Sequence, residues 1–221
     1  MTSVFVSGTD TDVGKTRISV ALVELFQQQG LQVAVMKPIA SGCEMTGSGL
    51  RNDDALKLIE QSNLALDYHV VNPYSFALAI APHIAAKQVN EDIDLAVIKQ
   101  CFSQLQQRSD SVVVEGAGGW LVPINDTETM ADLAKSLALP VILVVGIKLG
   151  CINHALLTVA AIKQSGLVLQ GWVANQCEHN DQAEEIISTL DKMIFAPCLG
   201  SVPFLSEQQS AAEFLVLNAN Q

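Results

Sequence analysis

Short runs of aliphatic and β-branched residues alternate along this chain with longer stretches whose apolar positions recur every three to four residues. Residues 4–6, 33–36, 111–115, 141–145 and 169–175 read as strands. Residues 18–29 carry Val20, Leu22, Val23 and Phe26 at a mainly helical period, and Gly30 supplies the stop. Residues 53–61, 93–108, 129–138, 153–165 and 182–193 read as further helices, and residues 41–49 as a loop rich in Gly and Ser. The strand runs are continuous, the pattern of strands buried on both faces. Strand–helix alternation then predicts an α/β, doubly wound, mainly parallel sheet with helices on both faces and right-handed crossovers. One domain over residues 1–221 accommodates all of it, with no repeat or long linker.

Composition narrows the class. A hydrophobic fraction of 49% in 221 residues provides ample core, and a net charge of -11 without any cluster of basic residues argues against a nucleic-acid partner. The N-terminal residues show no charged segment followed by a long apolar one, as a secretion signal would. The longest apolar run, residues 139–145, is far short of the ~20 residues that span a bilayer. Cys43, Cys101, Cys151, Cys177 and Cys198 are odd in number, scattered and without a C-x-x-C pair, which fits reduced thiols. A cytoplasmic protein without membrane partner is expected.

The polar and Gly-rich segments fall where a doubly wound sheet gathers its ligands, after the C-terminal ends of the strands: residues 8–16, 37–43, 115–119 and 146–153, with Asn175 after the fifth predicted strand. The first, Gly8-Thr9-Asp10-Thr11-Asp12-Val13-Gly14-Lys15-Thr16, lies between a strand and a helix. Backbone N–H groups of such a loop and of the helix start point at anionic oxygens, Lys15 reaches the β- and γ-phosphates, and the Thr16 hydroxyl is placed for Mg²⁺. Five residues separate Gly8 from Gly14, where the common phosphate loop has four, so a variant P-loop NTPase fold that binds ATP is expected.

Together with Lys37-Pro38-Ile39-Ala40-Ser41-Gly42, Asn52-Asp53-Asp54, Val71-Asn72-Pro73-Tyr74, Ala81-Pro82-His83, Val114-Glu115-Gly116-Ala117-Gly118-Gly119, Lys148-Leu149-Gly150-Cys151-Ile152-Asn153-His154 and Gly171-Trp172-Val173-Ala174-Asn175, this loop resembles the dethiobiotin synthetase family over nearly the whole chain. The resemblance implies an ATP- and Mg²⁺-dependent cyclo-ligase of biotin synthesis. One amine of 7,8-diaminononanoate takes up CO₂ as a carbamate, the carbamate attacks the γ-phosphate to give a carbamic-phosphoric anhydride, and the neighbouring amine closes the ureido ring.

Roles follow residue by residue. Phosphoryl transfer needs positioned cations, and Lys15 and Lys37 are the two expected to supply them. A lysine at a strand end more often simply reaches solvent, the alternative for Lys37. Thr16, Asp54 and Glu115 are the candidate oxygen ligands of Mg²⁺. A salt bridge to a lysine is the alternative for Glu115, and a dipole-favoured acid at a helix start the alternative for Asp54. The nucleotide is expected against Asp12, Val13, Gly14, Lys15, Thr16, Arg17, Asp54, Glu115, Gly116, Ala117 and Gly118, its base against Asn175, Gln176, Pro203, Phe204 and Leu205, with Glu207 nearby.

Thr11 and Ser41 resemble positions that hydrogen-bond the diamine or its carbamate. The resemblance also places the distal carboxylate of the substrate on Gly150, Cys151, Ile152 and Asn153, at a helix N-terminus, across the interface of a homodimer. Cys151 reads as a small apolar residue, and His69, His83, His154 and His179, which lack metal-ligand spacing, as structural or surface residues. Two other functions share these features. A partner-regulated ATPase of the ParA/MinD kind calls for a basic or amphipathic tail, yet residues 206–221 hold no Lys or Arg. An amidotransferase-type synthetase calls for a glutaminase domain, for which 221 residues leave no room.

Overall fold

The computed structural model describes residues 3–206 and 209–217. In chain order its elements are β1 (Val4–Gly8), α1 (Lys15–Gln28), β2 (Val33–Met36), β3 (Ile39–Ser41), β4 (Glu44–Thr46), β5 (Gly49–Arg51), α2 (Asp53–Gln61), α3 (Tyr68–Val71), β6 (Tyr74–Phe76) and α4 (Pro82–Gln88). Then follow α5 (Leu95–Gln106), β7 (Ser111–Gly119), α6 (Met130–Leu137), β8 (Val141–Gly146), α7 (Cys151–Gln164), β9 (Leu169–Asn175), α8 (Ala183–Met193), β10 (Cys198–Val202) and a short 3₁₀ turn, Ala212–Phe214. Six strands form one sheet in the order β10-β9-β8-β1-β7-β2, every neighbouring pair parallel.

Alternation along the strands divides the core into two layers. Phe5, Val112, Val114, Leu143, Val145, Trp172 and Ala174 pack with side chains of α5, α6, α7 and α8. Val4, Val6, Val113, Ile142, Val144 and Val173 pack with Ile18 and Leu22 of α1, Leu58 of α2, and Ala212 and Leu215. Burial on both faces is why these strands read as unbroken apolar runs, and it makes the sheet doubly wound.

Several boundaries differ from the sequence expectation, each for a local reason. Helix α1 starts at Lys15, because Gly14 turns the chain through the left-handed region (φ 88°) just before it. Strand β7 does not end at Glu115 but continues through the glycines to Gly119, opposite Gly8 of β1. Helix α5 begins at Leu95, since Asp94 caps it by accepting from the Ala96 N–H, and α6 stops at Leu137 because Ala138 is left-handed (φ 52°). Helix α7 starts at Cys151, two residues early, after the left-handed Gly150. The stretch expected as one loop contains the end of β3, all of β4 and the first residue of β5, its hairpin partner. Strand β10 went unread because Gly200 and Ser201 interrupt its apolar character at the sheet edge.

Candidate functional site

The loop after β1 is anchored from both sides. Thr9 donates its N–H to the Val144 carbonyl at 3.0 Å, and Val13, 1% exposed, inserts its side chain into the core. Asn175, at the end of β9, donates from Nδ2 to the Val13 carbonyl at 2.9 Å. The fit is close: a Cβ on Gly14 would lie 2.2 Å from Asn175 Nδ2, and one on Gly146 2.8 Å from Val13 Cγ1. Lys15, 7% exposed, donates to the Asp10 carbonyl of its own loop at 2.8 Å. Burial, and next the nearby Lys37 ammonium, pull its pKa down to about 8 against the opposing pull of Glu115.

Beside it stands an ionic cluster built from four elements. Lys37 follows β2 directly and is 4% exposed, so it is not the solvated lysine that a strand end often carries. Its Nζ lies 2.5 Å from Glu115 Oε1, 3.1 Å from Asp54 Oδ2 and 3.5 Å from the Gly116 carbonyl. Burial alone would depress the pKa of this ammonium, but the Glu115 and Asp54 carboxylates outweigh burial and raise it. Thr16 donates its hydroxyl to the same Glu115 Oε1 at 2.9 Å. Asp54 owes its position to Asn52, which caps α2 by accepting from the Ala55 N–H at 3.2 Å. Asp53, one residue earlier, turns outward to Lys57. Burial tends to raise the Asp54 pKa, and the Lys37 charge with the Thr16 hydrogen bond more than offsets this, leaving it lowered.

Glu115 thus forms the salt bridge that the sequence left open, but with one oxygen only. Oε2 is buried without a hydrogen-bond partner, in a residue 0% exposed. An orphaned carboxylate oxygen beside a second carboxylate and a hydroxyl is a hard-oxygen donor set that fits Mg²⁺. Among the described residues no group of three or more His, Cys, Asp or Glu forms a metal cage. The set therefore suits an ion that keeps waters and takes its remaining ligands from phosphate.

Other expected residues lie around this centre. Thr11 Oγ1 would be 3.7 Å from a Cβ on Gly118, which brings the phosphate loop against the glycines of β7. Arg17 donates to the Ser206 carbonyl at 3.2 Å, and the Gln176 N–H donates to the Val202 carbonyl at 2.9 Å, which holds residues 203–205 near the loop. Leu205 points its side chain into the core, leaving its backbone for any ligand. Phe204 is 49% exposed and lies with its ring 5.0 Å from that of His179. Glu207 lies outside the described residues. Ser41 Oγ is buried without a partner. Gly150, Cys151, Ile152 and Asn153 lie at the start of α7; Cys151 is 2% exposed and packs in the core, and its N–H is spent on the Lys148 carbonyl.

Three contributors went unread. Asp10 accepts from Lys148 Nζ at 3.0 Å, tying the phosphate loop to the segment before α7. Asn72, 1% exposed, donates to the Lys37 carbonyl at 2.6 Å and accepts from the Tyr68 hydroxyl at 2.8 Å. Asp10, Asn72 and Lys148 all stood in the resembling segments, which was the available signal.

Comparison with known proteins adds to this geometry. The AAA domain family model matches residues 2–212. The ATP-dependent dethiobiotin synthetase BioD of Pseudomonas aeruginosa (strain UCBPP-PA14) is 50% identical over 214 residues, covering 96% of this chain and 94% of that protein. ATP-dependent dethiobiotin synthetase BioD 1 of Escherichia coli (strain K12) is 50% identical over 209 residues, covering 94% and 93%. Among solved structures, the MinD cell division protein of Aquifex aeolicus superposes with a TM-score of 0.60 at 13% identity, covering 97% of this chain and 93% of that one, a likeness of fold alone.

Proposed function

The chain belongs to the ATP-dependent dethiobiotin synthetases, and from that premise we propose that the Lys15, Thr16, Lys37, Asp54 and Glu115 cluster is where it joins 7,8-diaminononanoate and CO₂ at the expense of ATP. The observation that carries the assignment is the convergence of two buried ammonium groups, two carboxylates and a hydroxyl at the mouth of the phosphate loop.

Lys15 and the loop N–H groups hold the β- and γ-phosphates, and the helix dipole of α1 adds to their pull. The carbamate oxygen attacks the γ-phosphorus while ADP departs, and Lys37 stabilises the charge spread over the transferring group. The second amine then attacks the carbamic carbon and expels phosphate. Thr16, Asp54 and Glu115 are the residues that would hold Mg²⁺, which supplies neutralisation of phosphate charge when bound. Thr11 and Ser41 position the diamine end, and Asn175, Gln176 and residues 203–205 receive the base. With the Cys151 N–H turned to Lys148, the amide groups of Gly150, Ile152 and Asn153 at the start of α7 suit the distal carboxylate of the substrate. Beside them Leu149 is fully exposed, which supports a homodimer in which a partner copy covers this surface. Residues 1–221 act as one synthetase domain, a reading supported by the family match over 2–212. No helix among the described residues is long and apolar enough to cross a membrane, and we place the enzyme in the cytoplasm.

The test is ADP release with Mg-ATP and bicarbonate, with and without 7,8-diaminononanoate, in the unmodified chain and in Lys37→Ala. Diamine-dependent turnover that collapses in the variant is expected. Diamine-independent hydrolysis, unchanged in the variant, would refute the assignment.

A further inference from the structure

We propose that Lys37 is the resident cation of the metal site: a divalent ion entering among Thr16, Asp54 and Glu115 must displace its ammonium, and that displacement presents Lys37 to the reacting phosphate. The inference rests on the metal assignment above and goes beyond it, because it makes metal loading and lysine presentation one event.

Two of the oxygens suited to a metal are ones the lysine already occupies. Glu115 Oε1 and Asp54 Oδ2 lie 2.5 and 3.1 Å from Nζ, and Thr16 donates to the same Glu115 oxygen. With the Gly116 carbonyl at 3.5 Å, the bonds of the ammonium all go to the wall of the cluster. A magnesium ion sits about 2.1 Å from its oxygens, so one bound to Glu115 Oε1 or Asp54 Oδ2 would compete with Nζ for the same oxygen. Two cations so close in a buried site repel far more strongly than they would in water.

The cluster also shows unused capacity. Glu115 Oε2 is buried and unpaired while the lysine is in residence, so the monovalent occupant leaves the carboxylate under-satisfied. The backbone of Lys37 is fixed meanwhile, its N–H on the Val71 carbonyl at 2.9 Å and its carbonyl on Asn72 at 2.6 Å. The flexible four-carbon stem is therefore the part that can yield.

The test uses Mn²⁺ as the probe, with binding to the nucleotide-free protein followed by electron paramagnetic resonance. Lys37→Met should tighten Mn²⁺ binding by about tenfold or more, the scale of one lost charge-assisted hydrogen bond. Lys37→Arg, which keeps a cation in place, should stay near the parent value. A Lys37→Met affinity equal to or weaker than the parent's would overturn the inference. A second measurement needs no substitution: the ¹⁵Nζ resonance of the carboxylate-bound Lys37 should leave its metal-free position as Mg²⁺ is added, and a resonance unmoved at saturation would likewise overturn it. The underlying metal assignment is tested separately by Mn²⁺ binding with a non-hydrolysable ATP analogue. If Glu115→Gln and Asp54→Asn do not weaken it, the assignment fails and this inference with it. If they do weaken it while Lys37→Met gains nothing without nucleotide, the inference alone fails.

Discussion

Lys15 and Lys37 are both buried ammonium groups at the C-terminal edge of one sheet, yet their surroundings push them in opposite directions. Lys15 sits in its own loop, where its ammonium donates to a neutral carbonyl, and burial draws its pKa down to about 8. Lys37 sits in a nest of carboxylates, which overcome a still deeper burial and raise its pKa. The difference teaches that depth does not decide what a charge costs; the partner does. It also separates two designs: a cation kept hungry for an anion from outside, and a cation already matched within the fold.

That contrast can be broken by measurement. The largest effect is expected for Lys37→Met, which leaves Glu115 as a buried carboxylate without its counter-ion and should cost about 3–5 kcal/mol in urea unfolding of the nucleotide-free protein. A loss under 1 kcal/mol would mean that the nest contributes little. Gly14→Ala comes next. Its Cβ would meet Asn175 Nδ2 at 2.2 Å in a left-handed residue, so a loss of about 2–3 kcal/mol is expected, with nucleotide binding abolished in calorimetry.

Lys15→Met should act with the opposite sign, stabilising the nucleotide-free protein by on the order of 1–2 kcal/mol at neutral pH. Its folded pKa of about 8 lies below the unfolded value of 10.5, so between those values the unfolded chain binds the extra proton and stability rises with pH. The gain from Lys15→Met should therefore be full below pH 8 and fade as pH climbs toward 10.5. The contribution of Lys37 runs the other way: it is present below pH 10.5 and lost as pH rises through the raised folded value. A gain from Lys15→Met that is flat with pH would remove the contrast. Smallest is Lys148→Met, whose pair with Asp10 is about half exposed and should change the thermal midpoint by no more than about 1 kcal/mol allows.

Much of this was legible beforehand. Five of the six sheet strands announced themselves as buried β-branched runs, and the phosphate loop by its order of strand, loop and Gly-Lys-Thr. The start of α1 was misplaced because its first turn is polar: Lys15, Thr16 and Arg17 carry no apolar period, which begins only at Ile18. Strand β10 was lost because edge residues such as Gly200 and Ser201 carry no core pattern. Pairings were beyond reach. Lys37 and Glu115 lie 78 residues apart, and Asp10 and Lys148 138 residues apart; sequence could name candidates for charge but not match them. Asp54 and Asp53 read alike until the cap at Asn52 turned one inward and the other out to Lys57.

The Asn175 amide braces the phosphate loop through Val13 and packs against Gly14. On the proposed placement of the base against Asn175, one side chain would serve two demands that selection or an engineer would wish to adjust separately. Any exchange at position 175 made to alter which base is accepted would also loosen the turn before Lys15, and any bulk gained at position 14 would press on the amide in return. Changes in nucleotide preference along this lineage should therefore arise in the segment after β10, around Pro203 and Phe204, while positions 14 and 175 stay locked to each other.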